Sequence, residues 1–311
     1  MHFYILRHFL CSKCFIPSQN LNIFIDTSSS FCIIKKIQKK GTKTVAKISF
    51  FCDRLFYIME LTLTTYLIVC PLLFLAGFID AIGGGGGLIS LPAYLLAGLP
   101  VHQAIATNKL SSACGTTLAT FRFIKNGLVN LRFAIPSVIT AILGSSIGAK
   151  LSLLAPDGLM EKLLFIILPL AAFIVLNRSL FKDNPDSTLQ LNAKTYMVSI
   201  LAAFIVGMYD GFYGPGTGTF LIIAFTVFGH MNVSTANAQA KVINLTTNIT
   251  SLTIFLLNGQ VLFSLGIVAA ICNMIGGYLG AGLVMQKGSK IVKPTILLVL
   301  FLLFLKVLGI I

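Results

Sequence analysis

Two stretches of this sequence decide its fold: Asp80-Ala-Ile-Gly-Gly-Gly-Gly-Gly87 and, 130 residues later, Asp210-Gly-Phe-Tyr-Gly-Pro-Gly-Thr-Gly218. Each stretch ends a long apolar run, places one carboxylate before a cluster of glycines, and is followed by a shorter apolar run. Glycine tolerates the positive-φ backbone of tight turns at no steric cost. The two stretches therefore predict two helices, each interrupted by a glycine turn beside an acidic side chain.

The composition is that of an integral membrane protein. Of the 311 residues, 56% are hydrophobic and 10% are charged, and the mean hydropathy is +0.93; a soluble domain has about 25% charged residues. A membrane-spanning helix needs about 20 apolar residues, and several runs reach this length. Runs such as residues 297–305 are apolar on every face and lack the alternation of barrel strands. We therefore predict an all-α, polytopic helical membrane protein.

The net charge of +14 is unevenly distributed. Residues 1–58 hold nine Lys/Arg and two Asp/Glu, which supplies half of the net charge, and most of the rest lies in short loops between apolar runs. Basic loops are the signals that orient a membrane protein. No basic patch with interleaved aromatic residues lies outside the apolar runs. We therefore predict no nucleic-acid partner.

The chain divides into four segments. Residues 1–58 form an atypical basic leader without the pattern of a signal peptide. We expect that Met59 is the initiator or that the leader is dispensable, so that a chain starting there inserts and transports. Residues 59–177 are predicted to form a first membrane repeat, 178–194 a polar linker, and 195–311 a second repeat.

The two repeats match position by position. An offset of 130 aligns Asp80 with Asp210, and after a two-residue insertion an offset of 132 aligns Lys109 with Lys241. The second offset also aligns further residues, in these pairs: Ser112 and Asn244, Thr116 and Asn248, Asn126 and Asn258, Gly127 and Gly259, Gly144 and Gly276, Gly148 and Gly280. So many matches at one register indicate an internal duplication.

The apolar run after the first glycine cluster is too short to span the bilayer. Residues 88–99 would form a helix of about 18 Å, whereas the hydrocarbon core is about 30 Å thick. A half-helix is tolerated where irregular backbone is buried in protein or lines a cavity. We predict that the broken helices meet near the membrane midplane.

Loop charge predicts the orientation of the repeats. The loop after the first lysine helix carries Arg122, Lys125 and Arg132, whereas the matching loop at residues 258–264 is uncharged. In the second repeat the following loop is basic instead. If basic loops face one side, the repeats have opposite orientations, which is the inverted-repeat arrangement of secondary transporters.

The intramembrane charges allow two interpretations. Lys109 and Lys241 either line a path for an anionic substrate or form ion pairs with the aspartates inside the bundle. Asp80 and Asp210 are assigned to the helix breaks and to proton coupling: they cap the broken helices through glycine N–H groups or carry protons, and one residue can do both.

The glycine clusters also allow two interpretations. A glycine turn before a half-helix points the positive end of the helix dipole at an anion, and the alternative is a plain tight turn. The clusters match neither the P-loop nor the dinucleotide fingerprint. The predicted substrate-binding residues are the two lysines, four turn glycines and four polar residues of the lysine helices: Lys109, Lys241, Gly84, Gly86, Gly214, Gly216, Ser112, Thr116, Asn244 and Asn248.

These motifs resemble the TauE/SafE family of membrane permeases. The resemblance covers residues 60–310 and rests on the repeated Asp-x-x-x-Gly-x-Gly element, the Asn108-Lys109 pair, the Asn-Gly turns and the Gly-x-x-x-Gly-Ala span. It implies export of a small anion such as sulfite, a sulfonate or a related organosulfur anion. The second repeat departs from the first, so strict equivalence of the half-sites is not predicted; its substitutions are Pro215, Thr217 and Ala240 for Gly85, Gly87 and Asn108.

We expect a secondary transporter that works by alternating access, with a passive anion channel as the alternative. No ATP-binding domain is apparent, so the proton gradient or the anion gradient would drive transport. An enzyme is disfavoured because the spans hold no nucleophile–base pair, and the lone Cys11-x-x-Cys14 pair predicts no metal site. We expect a multi-pass protein of the cell membrane, plasma or inner, whose partners are the anion, lipid and protons, without a cofactor.

Overall fold

The structure, a computed structural model, describes a defined part of the chain. The described residues are 14–18, 21–26, 33–34, 63–156, 159, 192–288, 290–292 and 294–295. The chain divides into two units, Met1–Leu61 and Thr62–Ile311. Residues 160–191, which hold a predicted apolar run and nearly all of the predicted linker, lie outside the described residues, as do residues 297–305.

Three short strands are described in the first unit. Strand β1 (Cys14–Ser18) pairs antiparallel with β2 (Leu21–Asp26), which pairs antiparallel with β3 (Ile33–Ile34). The register places Phe15 opposite Phe24. No secondary structure was predicted in this leader, so the small sheet is an addition to the predicted fold.

The described part of the second unit is helical, as the predicted all-α membrane fold requires. It contains these helices: α1 (Leu63–Gly83), α2 (Gly87–Leu96), α3 (Val101–Lys125), α4 (Leu131–Leu154), α5 (Ala193–Phe212), α6 (Thr217–Val227), α7 (Val233–Leu257) and α8 (Phe263–Lys287). Helices α1, α4, α5, α7 and α8 are long and apolar enough to cross a membrane. Helix α3 has 25 residues but is more polar, because it carries three basic side chains.

Helices α2 and α6 are the two short segments, with 10 and 11 residues. The apolar run after the first glycine cluster extends to Leu99, but α2 ends at Leu96. Gly98 adopts a φ of +83° there, and its N–H donates to the Leu95 carbonyl while the Leu99 N–H donates to the Tyr94 carbonyl. This left-handed glycine ends the helix in the usual way and explains why the helix is shorter than the apolar run.

The outer surface of the bundle carries large apolar side chains, and its interior holds polar and charged side chains within an apolar core. Exposed aliphatic side chains occupy matching positions in the two predicted repeats, in these pairs: Leu67 and Met197, Leu75 and Ile205, Ile135 and Ile267, Ile139 and Ile271, Leu143 and Ile275. The buried set instead includes Lys109, Lys241, Asp210, Asn237 and Asn248. Apolar side chains outside and polar ones inside identify an integral membrane protein.

Two close helix contacts have the same construction. Gly144 of α4 lies against the Phe204 carbonyl of α5, and Gly276 of α8 lies against the Phe74 carbonyl of α1. At both glycines an added Cβ would collide with that backbone. The next turn repeats the contact, with Gly148 against Met208 and Gly280 against Phe78. Small residues thus let the last described helix of each repeat pack on the first helix of the other.

Candidate functional site

The two glycine turns meet inside the bundle. Gly84 has a φ of +79° and its backbone lies against Gly218, so closely that neither position has room for a Cβ. The Thr219 hydroxyl donates to the Gly83 carbonyl at 2.6 Å. Thr219 is in the first turn of α6, and Gly83 is the last residue of α1. The interrupted helices of the two repeats are therefore joined end to end by direct contact.

Asn237 of α7 stabilises the broken end of α1. Its Nδ2 donates to the carbonyls of Ala81 and Ile82, both at 3.1 Å, and its side chain is fully buried. The last carbonyls of a helix lack intrahelical donors, and leaving them buried without partners is costly. Asn237 was not among the predicted site residues, although an amide in an otherwise apolar span is a usable signal.

The four intramembrane charges form two crossed ion pairs. The Lys109 ammonium lies 2.8 Å from Asp210 Oδ2, and the Lys241 ammonium lies 2.7 Å from Asp80 Oδ2. Each lysine thus pairs with the carboxylate of the other predicted repeat. The structure contains the ion-pair arrangement that the sequence left open as one of two interpretations.

The remaining contacts of these charges differ between the two pairs. Lys109 Nζ also donates to Asn248 Oδ1 at 3.2 Å, and the Thr217 hydroxyl is within donating distance of both Asp210 Oδ1, at 2.7 Å, and the Gly214 carbonyl, at 2.6 Å. Asp80 Oδ1 instead accepts a long bond of 3.4 Å from the Gly86 N–H. The difference follows from the sequence, because the position equivalent to Thr217 is Gly87, which has no hydroxyl.

A small polar cavity lies where the broken helices meet. The cavity has a volume of about 20 Å³, which accommodates about one water molecule. An oxyanion with several heavy atoms therefore requires the walls to move apart. Twelve residues line the cavity: Asp80, Gly84, Gly87, Asn108, Lys109, Ser112, Asp210, Gly214, Thr217, Gly218, Asn244 and Asn248.

The cavity brings together part of the predicted binding set. Of that set, it contains Lys109, Gly84, Gly214, Ser112, Asn244 and Asn248, together with both aspartates. Four predicted residues do not line it: Lys241, Gly86, Gly216 and Thr116. Lys241 lies behind Asp80 as its ion-pair partner, and Gly216 takes the left-handed N-cap position of α6 with a φ of +85°.

The structure adds four cavity residues that were not in the predicted set. They are Asn108, Gly87, Thr217 and Gly218. Gly87 and Thr217 are the first residues of α2 and α6, so both half-helices begin at the cavity. The first N–H groups of a helix have no intrahelical acceptor, and the helix dipole is positive there. Two helix starts, one lysine and two carboxylates thus line the same cavity.

Comparison with known proteins gives a consistent result. The model of the family "Sulfite exporter TauE/SafE" matches residues 69–307. A probable membrane transporter protein of Haemophilus influenzae is 36% identical over 75% of this chain and 90% of its own length. The probable membrane transporter proteins ORF9 of Sinorhizobium and YfcA of Escherichia coli K12 are 34% and 35% identical, over 76% and 72% of this chain and 89% and 82% of theirs. No solved structure gives a significant match. With a helical membrane unit and a family match over most of its length, the chain belongs to the sulfite exporter TauE/SafE family of membrane transporters.

Proposed function

We propose that this protein is a secondary transporter of the cell membrane that exports a small anion by alternating access. The proposed substrates are sulfite, a sulfonate or a related organosulfur anion, as the family name suggests. The two repeats are proposed to lie in opposite orientations, in agreement with the charges of their loops.

The observation that carries this proposal is the cavity between the broken helices. Its walls combine the Lys109 ammonium with the first residues of two half-helices, Gly87 and Thr217. Both features favour an anion. The Ser112 hydroxyl and the Asn244 amide also line this cavity. Both groups can form hydrogen bonds with a bound anion.

The walls of the cavity come from both repeats, and both ion pairs join one repeat to the other. Movement of one repeat against the other therefore changes the environment of the charges and the size of the cavity together. That coupling is what alternating access requires. A passive channel needs a continuous pore, and a cavity that holds about one water favours a carrier over a channel.

Flux of radiolabelled sulfite from proteoliposomes tests the proposal. We expect efflux that saturates with sulfite concentration, whereas a channel would carry a current that follows voltage without saturating. Lys109→Met combined with Asp210→Asn removes the cavity lysine and its partner without leaving a buried unpaired charge. We expect this double variant to lower efflux more than about tenfold. The anion loses its contact with the Lys109 ammonium, and a hydrogen bond to a charged group contributes about 1.5–3 kcal/mol.

Lys150→Met is the matched control, since Lys150 is an exposed lysine on α4. Its efflux should equal that of the unmodified protein. Absence of sulfite and sulfonate flux in folded, reconstituted protein would refute the proposed substrate class. Equal flux in the double variant and the control would refute the assignment of the cavity.

A further inference from the structure

The two crossed ion pairs are built differently, and we infer that they have different functions. Lys109–Asp210 opens in each transport cycle, Asp210 taking up one proton for each monovalent anion that Lys109 binds. Lys241–Asp80 stays closed and clamps the two repeats. This inference rests on the proposed function and adds to it a coupling ion, a stoichiometry and the residue that carries the proton.

Both members of the first pair already have a second partner. Lys109 Nζ donates to Asn248 Oδ1, and Asp210 Oδ1 lies 2.7 Å from the Thr217 hydroxyl, whose hydrogen it shares with the Gly214 carbonyl. Asp210 Oδ2 is 2.8 Å from the lysine, but within the described part of the chain it accepts no well-aligned hydrogen bond. The pair can therefore separate while each side chain keeps a polar partner, and Oδ2 is the carboxylate oxygen on which we place the proton.

In the second pair only the carboxylate has a further partner, the Gly86 N–H at 3.4 Å from Asp80 Oδ1. Lys241 Nζ donates a well-aligned hydrogen bond of 2.7 Å to Asp80 Oδ2, and its side chain is 0% exposed. Among the residues that the structure describes, this ammonium has no other acceptor. Thr116, at the position equivalent to Asn248, leaves its hydroxyl without a hydrogen-bond partner in the described residues. Opening this pair would strand a buried charge, which is strongly unfavourable.

The two ion pairs also differ in their position relative to the cavity. Lys109 and Asp210 both line the cavity, whereas Lys241 does not. An anion in the cavity therefore meets the Lys109 ammonium directly. It cannot reach the Lys241 ammonium without displacing Asp80.

Charge balance then requires a proton. The charged side chains lining the cavity are Asp80, Asp210 and Lys109, with Lys241 paired behind them, and no histidine of the described residues is among its walls. Two carboxylates and two ammonium groups sum to zero, so an incoming monovalent anion leaves one uncompensated negative charge in a poorly solvated site. One proton on a carboxylate restores neutrality.

The proton and the hydrogen bonds can be followed atom by atom. The proton binds Asp210 Oδ2, and the Thr217 hydroxyl continues to donate to Oδ1. The Lys109 ammonium keeps Asn248 and turns its released donor to the anion. When the anion leaves, the proton leaves Oδ2 and the ion pair forms again. Each cycle therefore moves one proton with one monovalent anion and no net charge, and direction follows their combined concentration gradients.

Methanesulfonate is a suitable probe because it stays a monoanion across the working pH range, so its own charge does not follow the pH gradient. The full chain is reconstituted in liposomes whose membrane potential is held at zero. Vesicles with an alkaline interior should accumulate methanesulfonate about tenfold for each unit of pH difference, the factor that corresponds to one proton per anion. A membrane potential without a pH gradient should cause no accumulation.

Asp210→Asn holds this site in a neutral form. We expect it to retain exchange of labelled for unlabelled methanesulfonate while pH-driven accumulation falls to a ratio of one. Asp80→Asn combined with Lys241→Met removes the other pair and should preserve the tenfold ratio, whatever its rate. Lys150→Met controls for loss of a lysine charge, and it should preserve both the exchange of methanesulfonate and its pH-driven accumulation.

The outcomes separate the two proposals. If the unmodified protein moves neither methanesulfonate nor sulfite, the proposed function fails. If it moves methanesulfonate but accumulates it with potential rather than pH, transport stands and proton coupling is overturned. If Asp210→Asn still accumulates the anion, or the Asp80 and Lys241 pair of substitutions abolishes accumulation while exchange persists, the division of function between the pairs is overturned.

Discussion

Neutralising Asp80 tests how strongly the Lys241–Asp80 pair stabilises the fold. Asp80→Asn leaves the Lys241 ammonium, 0% exposed, without its counter-charge. Breaking a buried ion pair on one side costs about 3–5 kcal/mol. Because the amide oxygen still accepts a hydrogen bond and Asp80 is 18% exposed, we expect the lower end, about 3 kcal/mol. For a protein of this size the melting temperature should fall by roughly 6–12 °C.

Thermal unfolding of the purified protein in detergent, followed by fluorescence-detected gel filtration, measures this change. Asp80→Asn combined with Lys241→Met removes both charges and should recover most of the lost stability. Asp210→Asn should lose about half as much as Asp80→Asn, because Lys109 retains Asn248 as an acceptor. A melting temperature within 2 °C of the unmodified protein for Asp80→Asn, or a double variant no more stable than the single one, would refute the reasoning.

Three further substitutions test separate contacts. Gly84→Ala should prevent formation of monodisperse protein, since the φ of Gly84 is +79° and a Cβ would collide with Gly218; Gly127→Ala, with a φ of +71° but open space, should cost only about 1–2 kcal/mol in thermal unfolding. Equal effects would contradict the close contact of the turns. Asn237→Ala should lower the free energy of unfolding by about 1–3 kcal/mol because two carbonyls of α1 lose their donor; an unchanged melting temperature would argue against this cap. Thr217→Val removes the hydroxyl that lies 2.7 Å from Asp210 Oδ1 and 2.6 Å from the Gly214 carbonyl, so the free energy of unfolding should fall by about 1–3 kcal/mol, and an unchanged melting temperature would contradict these contacts.

Local sequence signals predicted the broken helices and the membrane unit. Both glycine clusters follow long apolar runs and precede short ones, and α2 and α6 are the resulting short helices. Small-residue spacing such as Gly-x-x-x-Gly lets helices approach closely, and Gly144 and Gly276 of the matched motifs make such contacts. These features depend on residues close in sequence, which is why they could be found without coordinates.

The pairing of charges could not be derived from the sequence. Lys109 is 29 residues from Asp80 and 101 from Asp210, and only the packing of the helices determines which carboxylate it meets. Burial of an unpaired charge is costly, so some pairing was expected, but the crossed arrangement depends on long-range contacts. Those contacts also place Lys241 behind Asp80 rather than in the cavity wall.

Thr217 shows how a missed residue could have been found. The two repeats differ at this position, where Gly87 stands in the first and Thr217 in the second. A hydroxyl at the start of a half-helix, seven residues after an intramembrane aspartate, is placed to cap that carboxylate. The structure has this hydrogen bond at 2.7 Å. Differences between repeats can therefore identify site residues as well as their matches.

Anion binding to the purified protein tests the central claim most directly, namely that an anion is held by Lys109 between the broken helices. Thermal unfolding is measured against sulfite concentration for the unmodified protein, for Lys109→Met with Asp210→Asn, and for Lys150→Met. At a hundredfold excess over the dissociation constant, binding stabilises the fold by about 2.7 kcal/mol. We predict that sulfite raises the melting temperature of the unmodified protein and of Lys150→Met but not that of the cavity variant. Equal stabilisation of all three proteins would contradict the account.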